Sequence, residues 1–324
     1  MIKNINPKQL KHYIMRQILL LLSAVLLTFT SCEKYEDYLY DYEYTATYFA
    51  LQKPVRTITQ ANNMALQVGV TIGGVRENNQ EHIVNFEIDE TLLEVTPFTL
   101  LPEAYYSLSD ANKMVIPKGE FLGLIDVDLN EEAFMADEQA HLNHYALPLR
   151  ITETTADSTL GNAENPMAGK DYTILVVKYI NNMHGYYYQK GNEYITDATG
   201  AAIDTIEYSH EELVRNETRM VATGSKDSVV INGVGSHLDG TVIDKVTYTY
   251  KMALLRDATG NISIKNVIES DINNVEDLGS SFDLSKRLFT LHYKWIDADG
   301  LTHTVEEELI FRNDGILFEE WSLE

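Results

Sequence analysis

Three copies of one short pattern govern how this chain can fold. Asp-x-x-Gly occurs at Asp197–Gly200, Asp257–Gly260 and Asp297–Gly300, each time between runs that alternate apolar and polar residues. Asp and Gly tolerate the backbone conformation that a tight hairpin demands. Period-two alternation is what a strand with one buried face requires. Three such hairpins in the C-terminal half predict an antiparallel up-and-down β-barrel, lipocalin-like, or a second sandwich.

The first half reads as shorter strands. "TATYFAL" (Thr45–Leu51), "ALQVGVTIGG" (Ala65–Gly74), "HIVNFEID" (His82–Asp89) and "FLGLIDVDL" (Phe121–Leu129) alternate, and "YALPLRIT" and "YTILVVKYI" close the series. Short strands split by turn signals, with no long amphipathic helix, predict an all-β sandwich. "DLNEEAFMADEQAHL" (Asp128–Leu142) is the one helix-like stretch and reads as a short helix or turn. "INNMHG" (Ile180–Gly185) marks a boundary. The expected organisation is a signal over residues 1–31, an acidic tyrosine-rich tether over 32–44, a sandwich over 45–181 and a barrel-like domain over 182–324. Tyr42, Tyr44 and Tyr48 are expected to alternate into the first strand and pack.

Residues 1–17 are basic, and "ILLLLSAVLLTFT" (Ile18–Thr30) supplies 13 mostly apolar residues. A membrane span needs about 20, so the run fits the core of a secretory signal. Cys32, the single cysteine, follows Thr30 and Ser31, and it has no partner for an internal disulfide. The pattern resembles a bacterial lipoprotein signal, cut before Cys32 with the thiol lipidated, although Phe29 departs from the aliphatic residue preferred there. An ordinary cleaved signal and an uncleaved anchor helix are the alternatives. Several acyl chains, at about 0.8 kcal/mol per buried CH₂, hold a protein on a bilayer without a spanning helix. Glu33, Lys34, Glu36 and Asp37 come next and resemble the signal that sends Bacteroidetes lipoproteins to the outer face of the outer membrane. The formal charge of −24 repels phosphate backbones, which excludes nucleic acid as a partner.

"HYALPLRIT", "YTILVVKYIN", "GYYYQKG" and "FTLHYKW…EEELIFRNDGILFEEW" together resemble a group of two-domain Bacteroidetes surface lipoproteins. The resemblance runs from about Thr45 to Glu324. It implies an immunoglobulin-like N-terminal sandwich and a β-rich C-terminal domain. It also implies a place among glycan-uptake loci beside SusC-like transporters and SusD-like binding proteins, and it transfers no catalytic residue.

The chemistry expected is binding rather than catalysis, with polysaccharide or oligosaccharide as partner and no cofactor or metal. Sugars pack flat C–H faces on aromatic rings, which singles out Tyr105 and Tyr106, Tyr187 within "YYY", and Trp295. Each has a plainer reading as core, since Leu291, Tyr293 and Trp295 share one strand face. A glycosidase needs two carboxylates set about 5 to 10 Å apart, and 49 acids offer too many pairs. Glu307 stands out because alternation places it among Val305, Leu309 and Phe311, where it would line a ligand cavity or act as an acid. A bulge that shifts the register, or a position at a wet rim, is the plainer account. Asp297 and Asp299 make only a fragment of a calcium loop. His141 and His144 lack a third placed ligand for zinc. A structural or protein-interaction subunit of an outer-membrane complex is the alternative to glycan binding, and a hydrolase with an unrecognised carboxylate pair is a third reading.

Overall fold

The computed structural model of the protein describes residues 15, 16, 18, 42–60, 64–162, 164–243, 245–267 and 270–322. Cys32, its lipidation and the tether as far as residue 41 lie outside the described residues. Thr45–Gly73 and Asn78–Glu324 form one compact unit. Tyr42–Tyr44 and Gly74–Glu77 belong to the other, in which the Tyr42 N–H donates to the Gly74 carbonyl at 2.9 Å.

The chain is all-β, as its patterning predicts. Two sheets face each other in the first part. One runs in the order β10 (Ser158–Thr159), β1 (Ala46–Phe49), β3 (Ala65–Gly73), β8 (Leu122–Leu129), β6 (Tyr106–Leu108). The other runs β24 (Glu319–Glu320), β2 (Pro54–Thr59), β11 (Tyr172–Ile180), β9 (Tyr145–Thr154), β4 (His82–Ile88), β7 (Lys113–Ile116), with β5 (Thr99–Leu100) added beside β9. Strand β8 shows why they pair. Gly123, Ile125, Val127 and Leu129 are buried, and the intervening residues are exposed. The inner faces of both sheets meet in one core that includes Phe49, Val70, Val127, Phe86, Leu149 and Val177. β1 and β2 are consecutive but join opposite sheets, and each pairs parallel with a late strand, β10 or β11. This layout is that of an immunoglobulin-like sandwich. β11 is buried on both faces, because Trp321 near the C-terminus covers its outer side and donates from Nε1 to the Ile174 carbonyl at 2.9 Å.

The helix-like stretch forms one short helix, Glu131–Ala136, capped where the Asn130 side chain accepts from the Ala133 N–H. The first strand starts only at Ala46. Tyr42 and Tyr44 are exposed rather than packed, a correction to the alternation expected of them.

The remaining strands close into a barrel. β12 (Gly185–Thr196), β14 (Thr218–Ser225), β15 (Ser228–Asn232), β18 (Lys251–Arg256), β19 (Asn261–Asn266), β21 (Ser280–Asp283), β22 (Leu288–Ile296) and β23 (Thr302–Asn313) pair in that order. Each is antiparallel to the next, and β23 returns to β12 along its whole length. Closure removes every edge in the ring, which decides between barrel and second sandwich. β13 (Ala202–Glu207) extends β12, β20 (Asn273–Asp277) lies against β22, and β16 (Thr241–Ile243) and β17 (Val246–Tyr248) form a separate ribbon.

All three Asp-x-x-Gly copies are hairpin turns. In each, the Asp carboxylate accepts from the N–H groups two and four residues on: Thr199 and Ala201, Thr259 and Asn261, Asp299 and Leu301. The glycines take φ of 84°, 94° and 82°, the left-handed region that other residues avoid. The Asp297–Gly300 fragment is therefore a turn, not a calcium loop.

Candidate functional site

The barrel interior is apolar at one end and polar at the other. Tyr187, Phe282, Phe289 and Leu309 fill the first end, with the Phe282 and Phe289 rings 4.4 Å apart. Further along, alternation brings a different set inward. β12 presents Gln189, Gly191 and Glu193, β22 presents Tyr293 and Trp295, and β23 presents Glu307 and His303. Register then fixes the neighbours, with Gly191 opposite Glu307 and Trp295 opposite His303.

A loop following β15 completes the polar end. Gly233–His237 contributes both backbone groups and side chains to the interior. The Gly235 N–H donates to the Tyr293 hydroxyl at 2.7 Å. The Gly235 carbonyl accepts from Gln189 Nε2 and Arg219 Nη2 at 2.8 and 2.9 Å. Gly235 takes φ 52°, and a Cβ there would stand 2.9 Å from a Glu193 carboxylate oxygen. Only glycine lets the loop come this close.

Two linked carboxylate clusters result. In the first, Glu307 Oε2 accepts from Gln189 Nε2 at 2.5 Å and from the Tyr208 hydroxyl at 3.1 Å, and Oε1 accepts from the Tyr293 hydroxyl at 3.1 Å. Gln189 passes the charge on, because its Oε1 accepts from Arg219 Nε at 2.6 Å. Burial pushes the Glu307 carboxyl above its ordinary range, and Gln189, Arg219 and the two tyrosines offset only part of that. Burial and the Glu307 charge also raise Tyr208 and Tyr293.

In the second cluster, Glu193 Oε1 lies 2.8 Å from His303 Nδ1, and Oε2 accepts from the Ser236 N–H at 2.9 Å and the Ser236 hydroxyl at 2.6 Å. His303 Nε2 sits 3.2 Å from Asp297 Oδ2. Burial alone would raise Glu193, but His303, Ser236 and His237 outweigh it and hold the carboxyl below its ordinary range. Burial likewise works against a charged His303, yet the two carboxylates prevail and raise it. Burial pulls His237 down, and Glu193 restores only part. Its Nε2 is 3.6 Å from Glu193 Oε1 and, though buried, has no hydrogen-bond partner. Among the described residues, Glu193, His237 and His303 are the one group whose donor atoms cluster as metal ligands do.

On the outer wall of the same strands lies a groove of about 530 Å³. Lys190 and Asn192 of β12, His292 of β22, and Glu306, Glu307 and Glu308 of β23 line it, together with Glu207 and Ser209. Lys190 Nζ is 3.3 Å from Glu308, and His292 Nε2 is 3.8 Å from Glu306.

The aromatic residues expected to hold sugar are placed elsewhere. Tyr187 and Trp295 are 0% and 1% exposed. They are core because their strands close a barrel and the inward face of each must be covered. Tyr105 ends a short turn, packs against Phe134 and donates its hydroxyl to Asp137 at 2.8 Å. Tyr106 is half-buried against the sandwich core. Tyr187 and Trp295 therefore offer no open ring face. Glu307 is neither displaced by a bulge nor at a rim, since the β22–β23 ladder runs through it without interruption and it is 5% exposed. His141 and His144 lean on different rings, Tyr179 and Tyr145. Glu193, Gln189 and His303 share inward faces with Tyr187, Val305 and Glu307, so alternation could have found them. Arg219 shares an inward face with Val221 on β14 in the same way, whereas His237, on a loop, carried no such signal.

Residues 40–158 match a family model described as "-like, N-terminal domain". No curated protein matches the chain. Among solved structures, a protein of unknown function from Bacteroides ovatus superposes with a TM-score of 0.71 at 22% identity, over 86% of this chain and 99% of that one. A second protein of unknown function from the same organism gives 0.41 at 14% identity, over 86% and 100% of the two chains. A lipoprotein from Bacteroides thetaiotaomicron gives 0.29 at 8% identity, over 70% and 99%. The first of these shares the two-domain all-β fold, and the fold is all that such an identity conveys.

Proposed function

We propose that the protein is a lipid-anchored, non-catalytic glycan-binding protein on the outer face of the outer membrane, serving a SusC/SusD-type polysaccharide-uptake system. The anchor rests on the apolar run before Cys32. The observation that carries binding is the open groove over β12, β22 and β23. Its side chains supply donors and acceptors across three paired strands, the arrangement that vicinal hydroxyls pair with. The charge of −24 favours a neutral polymer over an anionic one. The burial of the Glu193 and Glu307 carboxylates, 0% and 5% exposed, supports reading the action as non-catalytic. Many anchored copies compensate for weak single contacts by raising the local concentration.

Affinity electrophoresis against plant and host polysaccharides tests the reading. Retardation by at least one neutral glycan is expected, and it should vanish in Asn192→Ala/Glu306→Ala. Mobility unchanged by every glycan, or a variant retarded as strongly as the parent, refutes it. Cys32→Ser should abolish incorporation of labelled fatty acid. An interaction subunit is the second reading, favoured by Leu317 and Phe318, which stand 75% and 63% exposed beside the sandwich. Pull-down from solubilised outer membrane without glycan separates the two.

A further inference from the structure

We propose that Glu193, His237 and His303 form a divalent-cation site, suited to zinc, at the polar end of the barrel. One donor atom from each lies within 4.8 Å of the other two. Zinc bonds nitrogen and oxygen at about 2.0–2.2 Å, so adjacent tetrahedral ligands stand roughly 3.3 Å apart. The separations to Glu193 Oε1, 2.8 Å from His303 Nδ1 and 3.6 Å from His237 Nε2, bracket that value. Small side-chain rotations suffice to admit the ion.

The second observation is the orphaned nitrogen. His237 Nε2 is buried and unpartnered, although the ring is fixed edge-on to both Trp295 and His303. A buried polar atom left unpaired costs about 1–3 kcal/mol. A cation that takes its lone pair removes the cost, and Glu193 at 3.6 Å is too far to do so by hydrogen bonding.

The outer shell is of the kind that a metal site needs. A ligating histidine characteristically gives its other ring nitrogen to a carboxylate, and His303 Nε2 faces Asp297 Oδ2. The Glu193 oxygen that would not ligate is held by two Ser236 donors, which aims Oε1 at the histidines. Two imidazoles and one carboxylate suit zinc, whereas magnesium and calcium prefer all-oxygen sets. On binding, the cation replaces the proton between His303 Nδ1 and Glu193 Oε1, which leaves to solvent. Three protein ligands leave a fourth position for water or an outside donor, and His237, its side chain 25% exposed, marks the way in.

The test uses the full chain, stripped with chelator and titrated with Zn²⁺ by calorimetry. One ion per chain at micromolar or tighter affinity is expected, with no binding of Mg²⁺ under the same conditions. His237→Ala should abolish the binding, and Asp297→Asn should weaken it by about ten- to a hundredfold. A cooperative metal-free melting transition in His237→Ala shows that the variant remains folded. Trp295 stacks on His303 at 4.1 Å, so Co²⁺ should quench its emission in the parent and not in His237→Ala. Absence of bound zinc, or zinc binding and quenching that survive His237→Ala, overturns the proposal.

Discussion

Replacing Gly191 with alanine probes the point where the barrel wall, the groove floor and the buried carboxylate meet. A Cβ on Gly191 would stand 2.6 Å from Glu307 Cβ and 2.7 Å from Glu307 Cα, with the Glu306 carbonyl oxygen nearer still. Apolar carbons pack at about 3.5–4.0 Å, so β12 and β23 must part by about 1 Å. Two of the three obstructing atoms are backbone, so no rotamer change relieves the clash. Overpacking costs about 1–3 kcal/mol, and two stretched ladder bonds add about 1 kcal/mol each. The smaller entropy of unfolded alanine returns about 0.5–1 kcal/mol. The net loss is about 2–4 kcal/mol, which at a urea slope near 3 kcal/mol/M lowers the midpoint by about 1 M. Unfolding should be followed in a Trp321→Phe background, so that emission reports Trp295 alone; the chain has two tryptophans. A midpoint within about 0.2 M of the parent would refute the claim that glycine is there for space.

Asn181→Ala should destabilise the protein by about 2–4 kcal/mol in the same assay. The Asn181 side chain donates to the Ser225 and Ser228 carbonyls and accepts from the Met183 N–H, and alanine removes all three bonds. Glu307→Leu should cost about 3–5 kcal/mol by stranding the Gln189 and Tyr208 donors, and Glu307→Gln should cost less. The Glu307 carboxyl is raised on folding, so its contribution is complete below the unfolded carboxylate range and declines as pH rises. The deficit of Glu307→Gln against the parent should therefore shrink as pH rises above the unfolded carboxylate range of about 4, read from urea midpoints. Thr259 hydrogen bonds hold Asp257 at about 2, and Ser285 hydrogen bonds do the same for Asp283. Depressed carboxyls stabilise above their unfolded range and cease to as pH falls through about 4 to 2. Melting temperatures of Asp257→Asn/Asp283→Asn should thus vary less with pH across that window than those of the parent, and parallel curves would contradict the assignment.

The hairpins were legible because each depends on two residues at fixed spacing, Asp and Gly, whose roles are local. Strand β8 was legible for the same reason, since its alternation is written in consecutive residues. Barrel closure was not, because it depends on β23 meeting β12 across more than a hundred positions, and no local signal records that pairing. The aromatic residues misled for a related reason. Alternation says that Tyr187 and Trp295 lie on one face of a strand, but closure decides that this face is the inside. For Glu307 the period is a sufficient guide, but the partners that make an inward carboxylate tenable lie far from it in sequence. Gln189 comes from β12 and Tyr208 from the segment just after β13, and Arg219 acts through Gln189.

The polar end of the barrel is costly, since each ion taken from water loses several kcal/mol, and apolar residues of similar size often serve stability as well or better. Its value must lie in what it positions. Arg219, Gln189, Tyr293 and Glu193 spend their hydrogen bonds largely on one loop, gripping the Gly235 carbonyl, the Gly235 N–H and the Ser236 N–H. An apolar interior could bury that loop but could not fix its backbone to a single register. With the backbone fixed, the next residue has one place to go. His237 enters between Tyr250, Trp295 and His303 with its free nitrogen toward Glu193. The network and the orphaned nitrogen are thus one arrangement. The first holds the second rigid in a place where burial would otherwise expel it, and an interior built for stability alone would contain neither.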